Sequence, residues 1–375
     1  MIIIEIILII SLVVYTTWLW KNWLILKHSL LQIQPAEDNS FQPSISVIIP
    51  ARNEAVSITK CLQSILNQDY SNYEIIVVDD HSTDATRQIA QEIAFCSKHV
   101  SFRVLSLSEA EIGKKKALQA GIQAAQGEWI VTTDADCWHQ PEWLSTLTLY
   151  MQPNVAVVAG PVRIEAGKHF FEQAQALESA ALVALGGTLI ENQTPIFANG
   201  ANFAFKKTVF QQVDGYSGID QIASGDDELL LHRFHKAGFP IRFCWNSQAA
   251  VSTLPEKSIS QWWQQRRRWV SKSFYYQRVD ISLAQITAWI THIGILGFLF
   301  YGIFYPKIFP FVFLAWIIIL IPDYLIVRLA TQFLKNSNLL SAWLPAKLIY
   351  LLYVSIIGIW GNLGKKYHWK DRLVK

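Results

Sequence analysis

Two aspartates placed two residues apart, Asp134 and Asp136, are the side chains of this sequence best suited to hold a metal ion. They follow a short apolar run, Glu128–Thr133, and side chains two apart on an extended chain point the same way. Carboxylate oxygens at a strand end suit Mg²⁺ or Mn²⁺ together with phosphate oxygens. Such a triplet also occurs by chance in many loops, so its meaning depends on the residues around it.

Two earlier apolar runs also end in charged residues. The first is followed by Pro50–Glu54 (PARNE), and the second ends in the adjacent aspartates Asp79 and Asp80. We expect Ser82 or Thr83 to cap a helix here. Capping does not explain the two aspartates, because adjacent carboxylates repel each other unless a cation or a hydrogen-bond donor is bound.

A lysine run lies between the second apolar run and the Asp134 pair. It reads Gly113-Lys114-Lys115-Lys116. Lys115 and Lys116 are typical of a solvated helix start. Lys114, beside a cleft rich in carboxylates, can also neutralise a diphosphate.

Two polar clusters follow the Asp134 pair. Asn199–Asn202 (NGAN) precedes a short apolar run, and Ser224–Glu228 (SGDDE) opens a predicted helix over Leu229–Lys236. Three carboxylates at a helix N-terminus are favoured by the helix dipole, so capping alone accounts for them. A carboxylate with acidic neighbours can also act as a general base, and the sequence leaves both interpretations open.

The segment Gln261–Tyr276 (QWWQQRRRWVSKSFYY) combines aromatic and arginine residues. On a helix, Trp262, Trp269 and Tyr276 share one stripe at seven-residue spacing, beside Arg266–Arg268. This pattern is typical of an interfacial helix, with indoles at the level of the lipid headgroups and arginines on phosphates.

The elements that must position these groups alternate between strand and helix. Amphipathic stretches such as Val56–Ile65 and Thr83–Ile93 separate short β-branched runs. The predicted strands are 44–50, 73–80, 102–107, 128–134 and 155–160. Apolar strands separated by helices predict an α/β domain with a mostly parallel sheet. Ligands bind beyond the carboxyl ends of such strands, where the charged residues lie.

The two ends of the chain are apolar enough to enter a membrane. Met1–Trp20 is long enough for a span of about 30 Å, and it fits a retained anchor better than a cleaved signal peptide. Glu5 precedes the run while Lys21 and Lys27 follow it, which predicts an outside N-terminus and a cytoplasmic central domain.

Three more apolar runs occupy the C-terminal third, at Leu283–Tyr305, Ile308–Ala330 and Ala342–Gly364. Three full crossings would leave the basic tail 365–375 outside, against the positive-inside rule. Either one run is re-entrant or interfacial, or the rule fails here.

The amino-acid composition excludes several classes of protein. Of 375 residues, 51% are hydrophobic and 16% charged, with 15 Trp, which excludes an intrinsically disordered chain. The net charge of +3 is too small to indicate nucleic acid as a partner. The four cysteines lie far apart without CxxC spacing, so we expect neither a zinc site nor a disulfide framework. This composition predicts a membrane-associated protein with its globular part in a reducing compartment.

Taken in order, these segments resemble the membrane-bound family 2 inverting glycosyltransferases. That group includes cellulose, hyaluronan and poly-N-acetylglucosamine synthases and ceramide glucosyltransferase. The resemblance covers about Ser44–Lys272, and the segments that carry it are PARNE, VVDDHSTD, GKKKAL, TTDADC, SGDDELL and QQRRRW. Each motif is weak alone, and their shared order makes the resemblance specific. It implies a GT-A-like fold flanked by N- and C-terminal transmembrane helices.

The resemblance also implies a role for individual residues. Asp136 would coordinate Mg²⁺ or Mn²⁺, and Asp227 would be the catalytic base. The other implied catalytic residues are Arg268, Trp269 and Gln265. The implied donor-binding residues are Pro50, Arg52, Asn53, Glu54, Asp79, Asp80, Lys114 and Asp134. The implied acceptor region contains Asp226, Gly200 and Asn202. Two residues depart from the family pattern, Asp226 in place of the usual Glu and His81 in place of a common Gly.

The predicted layout has five parts. They are an anchor at 1–26, the GT-A-like domain at 44–250, interfacial helices with QxxRW at 251–282, membrane segments at 283–364 and the basic tail at 365–375. The implied function is transfer of a sugar from a nucleotide-sugar, usually a UDP-sugar, to a lipid or lipid-linked acceptor. We expect the protein in the cell (inner) membrane with its catalytic domain in the cytoplasm.

Three other functions compete with this one. A processive polysaccharide synthase of the cell envelope shares the QxxRW pattern, but at most four membrane segments leave little material for a polymer channel. A nucleotidyltransferase would carry a glycine-rich signature where this chain has PARNE. A non-catalytic scaffold would normally have lost Asp136 or Asp227.

Overall fold

The protein is an α/β domain joined to apolar helices at both ends. The computed structural model describes residues 2–32, 41–222, 224–271, 276, 278–360, 367–369 and 372–374. Residues 365, 366, 370, 371 and 375 of the predicted tail, and 272–275 and 277 of the predicted interfacial region, lie outside the described residues.

Helices and strands alternate through the central part of the chain. The helices are α1 Ile2–Leu31, α2 Ile58–Leu66, α3 Thr86–Cys96, α4 Lys114–Ala124, α5 Trp143–Thr148, α6 Phe170–Glu191, α7 Lys207–Gln212, α8 Glu228–Lys236, α9 Ile259–Ser271, α10 Val279–Phe304, α11 Phe309–Phe333 and α12 Trp343–Trp360. The strands are β1 Ile45–Ala51, β2 Tyr73–Asp79, β3 Ser101–Ser106, β4 Trp129–Thr132, β5 Val157–Ala159, β6 Val162–Ile164, β7 Phe203–Lys206, β8 Ile241–Phe243, β9 Val251–Thr253, β10 Tyr367–Trp369 and β11 Arg372–Val374. The five predicted strands are confirmed, with ends that shift by a few residues.

The main sheet has seven strands in the order β3-β2-β1-β4-β7-β5-β8. Strands β3, β2, β1 and β4 are parallel, whereas β7 is antiparallel to both of its neighbours. The predicted mostly parallel sheet is therefore confirmed. Because β1 lies between β2 and β4, the charged segments after these three strands meet at one edge.

The core lies on both faces of this sheet. Along β1, Ile48 packs into a cluster with α4, whereas Val47 and Ile49 pack into a second cluster with α2. This alternation is the period of two of a β-strand, and all three side chains are fully buried. Burying such a side chain contributes about 1.5–3 kcal/mol, so the central strands form a rigid base for the site.

The start of α3 differs from the prediction. The helix begins at Thr86, and neither Ser82 nor Thr83 caps it. The Ser82 hydroxyl instead accepts a hydrogen bond from the Asn53 backbone N–H at 3.0 Å, and Asp84 accepts one from the Ala55 N–H at 3.1 Å. These side chains therefore tie the loop after β2 to the loop after β1.

Among the residues that the structure describes, four helices are long and apolar enough to cross a membrane. They comprise Glu5–Leu31, Val279–Phe304, Pro306–Phe333 and Ser337–Gly358. The first belongs to helix α1, which continues to Leu31, eleven residues beyond the predicted apolar run that ends at Trp20. The other three match the predicted C-terminal runs. Their orientation across a bilayer stays a prediction.

The long helix α6 connects the sheet domain to the apolar helices. Near its C-terminal end the Thr188 hydroxyl donates to Asn22 Oδ1 of α1 at 2.8 Å. Leu177, in its first half, packs in a cluster with Val327 of α11. Glu178 forms an ion pair with Arg266 of α9. Helix α6 is thus attached to two apolar helices and to the QxxRW helix at separate points.

Helix α9 is shorter than the predicted helix Gln261–Tyr276. It covers Ile259–Ser271, and Tyr276 is not part of a helix. The predicted stripe therefore loses its last member. The Tyr276 hydroxyl donates to Glu228 Oε2 at 2.5 Å, which attaches the chain after α9 to the start of α8.

Candidate active site

A cleft with a cavity volume of about 100 Å³ lies at the carboxyl ends of β1, β2 and β4, where the sequence predicts ligand binding. Its lining consists of Pro50, Ala51, Arg52, Glu54, Asp80, Lys114, Asp134, Ala135, Asp136 and Arg268. All but the two alanines are predicted site residues. Arg268 reaches the cleft from α9, more than a hundred residues away in sequence.

The first turn of α4 brings Lys114 into the middle of this cleft. Gly113 precedes it with φ = 109°, a conformation that favours glycine. The Lys114 ammonium lies 2.7 Å from Asp134 Oδ1 and 3.0 Å from Asp226 Oδ2. Burial alone would lower the pKa of Lys114, but Asp134, Asp226 and Asp227 outweigh it and hold the pKa well above its usual value. Lys114 is therefore a permanent positive charge between two acidic motifs.

Asp227 is held by backbone groups on two sides. Its Oδ1 accepts from the Glu228 N–H at 2.7 Å, as the N-cap of α8, and its Oδ2 accepts from the Gly200 N–H at 2.9 Å. A Cβ on Gly200 would lie 3.0 Å from Asp226 Oδ2 and 3.5 Å from Asp227 Oδ2, so glycine leaves room for both carboxylates. Capping and a fixed carboxylate beside the cleft are therefore compatible.

The loops after β1 and β2 form the opposite wall. Arg52 donates to the carbonyl oxygens of Asp80 at 2.7 Å and His81 at 2.9 Å. Asp80 Oδ2 accepts from the Gly113 N–H at 3.1 Å. His81 has φ = 55°, which explains why glycine suits this position and shows that histidine preserves the loop.

Two residues that were predicted to bind the nucleotide-sugar donor, Asn53 and Asp79, lie behind this wall. Asn53, with φ = 51°, accepts from the Thr83 N–H at 2.9 Å and so joins the two loops. Asp79 Oδ2 accepts from the Ser82 N–H at 3.3 Å, while its buried Oδ1 has no hydrogen-bond partner within the described residues. Neither side chain lines the cleft.

Asn202 does not face the cleft, contrary to the predicted acceptor role. It is fully buried, and its amide donates to the carbonyl oxygens of Pro161 and Ala249, both at 2.8 Å. Its Oδ1 accepts from Trp143 Nε1 at 3.0 Å. These three bonds occupy the amide, so Asn202 supports the structure beneath the site.

Gln265 and Trp269 also lie outside the cleft lining, although Arg268 of the same motif lies within it. Gln265 donates to Glu256 Oε1 at 2.7 Å. The Trp269 ring lies 4.5 Å from the guanidinium of Arg266, which is almost fully buried and paired with Glu178. These contacts hold α9 in place, and of the three motif residues Arg268 is the one that lines the cleft.

Glu256 is a neighbour of the site that the sequence analysis missed. Burial raises its pKa, while Arg268 and Arg266 partly offset that effect. Nothing in the sequence around Glu256 marks it, because its partners come from α9 and from α6. Gln175 of α6 donates to its backbone carbonyl at 3.0 Å.

His139 supports the Asp134 pair from behind and was also missed. Its ring nitrogens contact Ser64 Oγ at 3.0 Å and Thr133 Oγ1 at 2.9 Å. Burial lowers the pKa of His139 to about 3, so the ring is neutral. It fixes the chain at the end of β4, from which Asp134 and Asp136 project.

The metal prediction fits this site only together with a ligand. Asp136 is exposed at the cleft, whereas Asp134 is paired with Lys114. Among the described residues, no three His, Cys, Asp or Glu side chains are grouped as a metal cage. Mg²⁺ and Mn²⁺ are commonly held by one or two carboxylates plus substrate phosphates, and Asp136 with a diphosphate meets that need.

Lys115 is buried, contrary to the predicted solvated lysine run. Its ammonium donates to the carbonyl oxygens of Ile219 and Ile222, both at 2.7 Å, and of Ser224 at 2.9 Å. Lys116 forms an ion pair with Asp220 at 2.9 Å. The whole lysine run therefore binds the segment that carries Asp226 and Asp227.

Lys115→Met is expected to lower the free energy of unfolding by about 2–4 kcal/mol, because one buried and two partly buried carbonyl groups lose a charged donor. Lys116→Met is the matched control and should cost less than about 1 kcal/mol, since its ion pair is more exposed. Thermal unfolding of the detergent-solubilised chain compares the two. Equal stability of both variants would contradict the role of Lys115.

Residues 46–214 match the family described as glycosyl transferase family 2. This part of the chain is a glycosyl transferase family 2 domain. The match spans the strands that form the cleft, from β1 to β7, and it confirms the resemblance seen in the motifs.

Two bacterial relatives extend this similarity. The chain is 30% identical over 243 residues to a probable glycosyltransferase, YdaM, of Bacillus subtilis, covering 62% of this chain and 56% of the relative. It is 28% identical over 235 residues to a poly-β-1,6-N-acetyl-D-glucosamine synthase of Staphylococcus epidermidis, covering 60% and 53%. The chain thus spans about half the length of these curated relatives.

A solved structure shares the fold of the family 2 domain and its flanking helices. It is the mannosyltransferase PcManGT of Pyrobaculum calidifontis in complex with GDP-mannose and Mn²⁺, with a TM-score of 0.58. The similarity covers 95% of this chain and 99% of that one at 18% identity. The GT-A-like fold class is therefore confirmed.

Proposed function

We propose that this chain is an inverting glycosyltransferase that moves a sugar from a nucleotide-sugar to a lipid or lipid-linked acceptor at the cytoplasmic face of the membrane. The observation that carries the proposal is the Lys114 bridge, which joins Asp134 of the metal motif to Asp226, the neighbour of the implied base. Asp227 itself does not line the cleft, but the bridge joins the cleft lining to its neighbour Asp226, and we infer that a donor in the cleft comes next to Asp227. The family 2 domain and the glycosyltransferase relatives support the same reaction class.

The donor side of the reaction needs positive charge near the leaving group. Lys114 and Arg268 line the cleft and stabilise the negative charge that develops on the departing nucleoside diphosphate. A Mg²⁺ or Mn²⁺ ion at Asp136 supplies further neutralisation of that diphosphate when it is bound. The PcManGT complex, which holds a sugar nucleotide and Mn²⁺, supports this assignment.

The acceptor side needs a base. Asp227 takes the proton of an acceptor hydroxyl as that oxygen forms a bond to the anomeric carbon. The bond from that carbon to the diphosphate oxygen breaks in the same displacement, and the diphosphate leaves with its electron pair. The two backbone hydrogen bonds to Asp227 orient its carboxylate for this task. One displacement inverts the configuration.

The apolar helices around the domain support an acceptor at the membrane. Within the described part of the chain, four helices are long and apolar enough to span a bilayer. Helix α9, which carries Arg268, packs against α12 through the Trp262–Tyr353 ring contact at 4.9 Å. The cleft is thereby joined to the apolar part of the chain. We propose a UDP-sugar as donor, which is the family's usual choice.

The second candidate is a processive polysaccharide synthase. The similarity to a poly-N-acetylglucosamine synthase favours it. In that case the product would grow with time and its formation would not need added lipid.

Release of nucleoside diphosphate tests the proposal. The detergent-solubilised chain is incubated with UDP-, GDP- and dTDP-sugars, with and without Mn²⁺ and a total lipid extract. We expect release that needs both metal and lipid and yields a product of fixed size. A product that grows without lipid would favour the synthase, and binding of a nucleotide-sugar without release would contradict catalysis.

A further inference from the structure

The ammonium of Lys114 is shared between two motifs that serve different substrates. It contacts Asp134, next to the predicted metal residue, and Asp226, next to the predicted base. Its side chain is only 18% exposed, so both contacts are made within the protein. Gly200 closes this site, since a Cβ there would lie 3.5 Å from the ammonium nitrogen.

This arrangement offers few oxygen ligands to a divalent cation that binds without a nucleotide. One oxygen of Asp134 is engaged by the ammonium, and the same ammonium repels any further cation at the pair. Asp136 remains as an exposed carboxylate, and although Glu54 and Asp80 also line the cleft, no three such side chains are grouped as a metal site among the described residues. A diphosphate brings additional oxygen ligands and enough negative charge to hold both cations.

We propose that Lys114 is a built-in counter-cation that keeps divalent metal out of the cleft until a nucleoside diphosphate arrives. Metal and donor then enter as a pair, and each tightens the binding of the other by the same factor. This inference rests on the proposed function for the identity of the donor. It adds a mutual dependence of metal binding and donor binding, and it assigns that dependence to one side chain.

Direct Mn²⁺ binding tests the proposal, with the electron paramagnetic resonance signal of free Mn²⁺ as the readout. The detergent-purified full chain is titrated with Mn²⁺ alone and then with UDP or GDP present. For the wild-type chain, we expect at least tenfold tighter Mn²⁺ binding when one of the nucleotides is present. Equal Mn²⁺ affinity with and without both nucleotides would overturn the proposal.

The variant Lys114→Met removes the charge and should tighten Mn²⁺ binding without nucleotide by about tenfold. Lys114→Gln, which retains a hydrogen-bond donor, provides the same test if the methionine variant does not fold. Lys116→Met is the matched control. This variant also removes one lysine charge from the first turn of α4. Its partner Asp220 lies outside the cleft lining, so Mn²⁺ affinity should not change.

Folded Lys114 variants that bind Mn²⁺ no more tightly than Lys116→Met would also overturn the proposal. Its failure is distinguishable from failure of the proposed function, because Mn²⁺ binding is measured without turnover. Lys114 variants that gain Mn²⁺ affinity, together with a wild-type chain that transfers no sugar, would contradict only the function.

Discussion

Asp227→Asn is expected to lower the kcat of sugar transfer by about 10²- to 10⁴-fold, which is the usual contribution of a general base. Asparagine caps a helix as well as aspartate does and keeps one oxygen to accept a backbone N–H, so the fold should survive. Donor KM should change little, because Asp227 acts on the acceptor hydroxyl. Steady-state release of nucleoside diphosphate gives both constants.

The neighbouring acid supplies the control for this prediction. Asp226→Asn alters the ion pair with Lys114 but leaves Asp227 and its two backbone hydrogen bonds in place. We therefore expect a smaller loss of kcat than for Asp227→Asn. A larger loss for Asp226→Asn, or wild-type kcat for Asp227→Asn, would show that Asp227 is not the base.

Asp136→Ala is expected to abolish the stimulation of transfer by Mn²⁺ and to lower the rate by about 10²- to 10³-fold, since a catalytic metal contributes several kcal/mol. Asp136 is exposed, so its loss should not destabilise the chain. The rate is measured as a function of Mn²⁺ concentration with saturating donor.

Glu128→Ala is the matched control for Asp136→Ala. Glu128 is an exposed carboxylate just before β4, whereas Asp136 follows the other end of that strand. Its loss should leave both the rate and the response to Mn²⁺ unchanged. An Asp136→Ala chain that still responds to Mn²⁺ would mean that the metal is held elsewhere.

Much of the site could be predicted because it lies at strand ends. Strands β1, β2 and β4 are uninterrupted apolar runs, and the carboxyl ends of parallel strands meet at one edge of the sheet. The positions of Arg52, Asp80 and Asp134 at the cleft follow from that rule alone. The position of Arg268 at the cleft could be predicted only from the resemblance, because α9 lies far in sequence from the strands that form the cleft.

The sequence could not predict which polar side chains turn inward. Lys115 and Lys116 are adjacent and chemically identical, yet Lys115 is buried because three carbonyl groups about a hundred residues later converge on it. Asn202 likewise lies beneath the cleft because Pro161, Ala249 and Trp143 surround it. Such contacts depend on the packing of distant segments, which local patterns do not contain.

The three attachments of α6 have a consequence for the choice of acceptor. Helix α6 is joined to α1 at Asn22, to α11 near Val327 and to α9 at Arg266. In the membrane seating that we propose, α6 is held near Leu177 and Glu178 and again near Thr188, and these contacts at two levels would keep the cleft at a fixed height above the bilayer. The enzyme would then select acceptors by the height of their hydroxyl group above the bilayer. A hydroxyl presented at that height reacts, whereas one carried far from the lipid on a long glycan passes above the base.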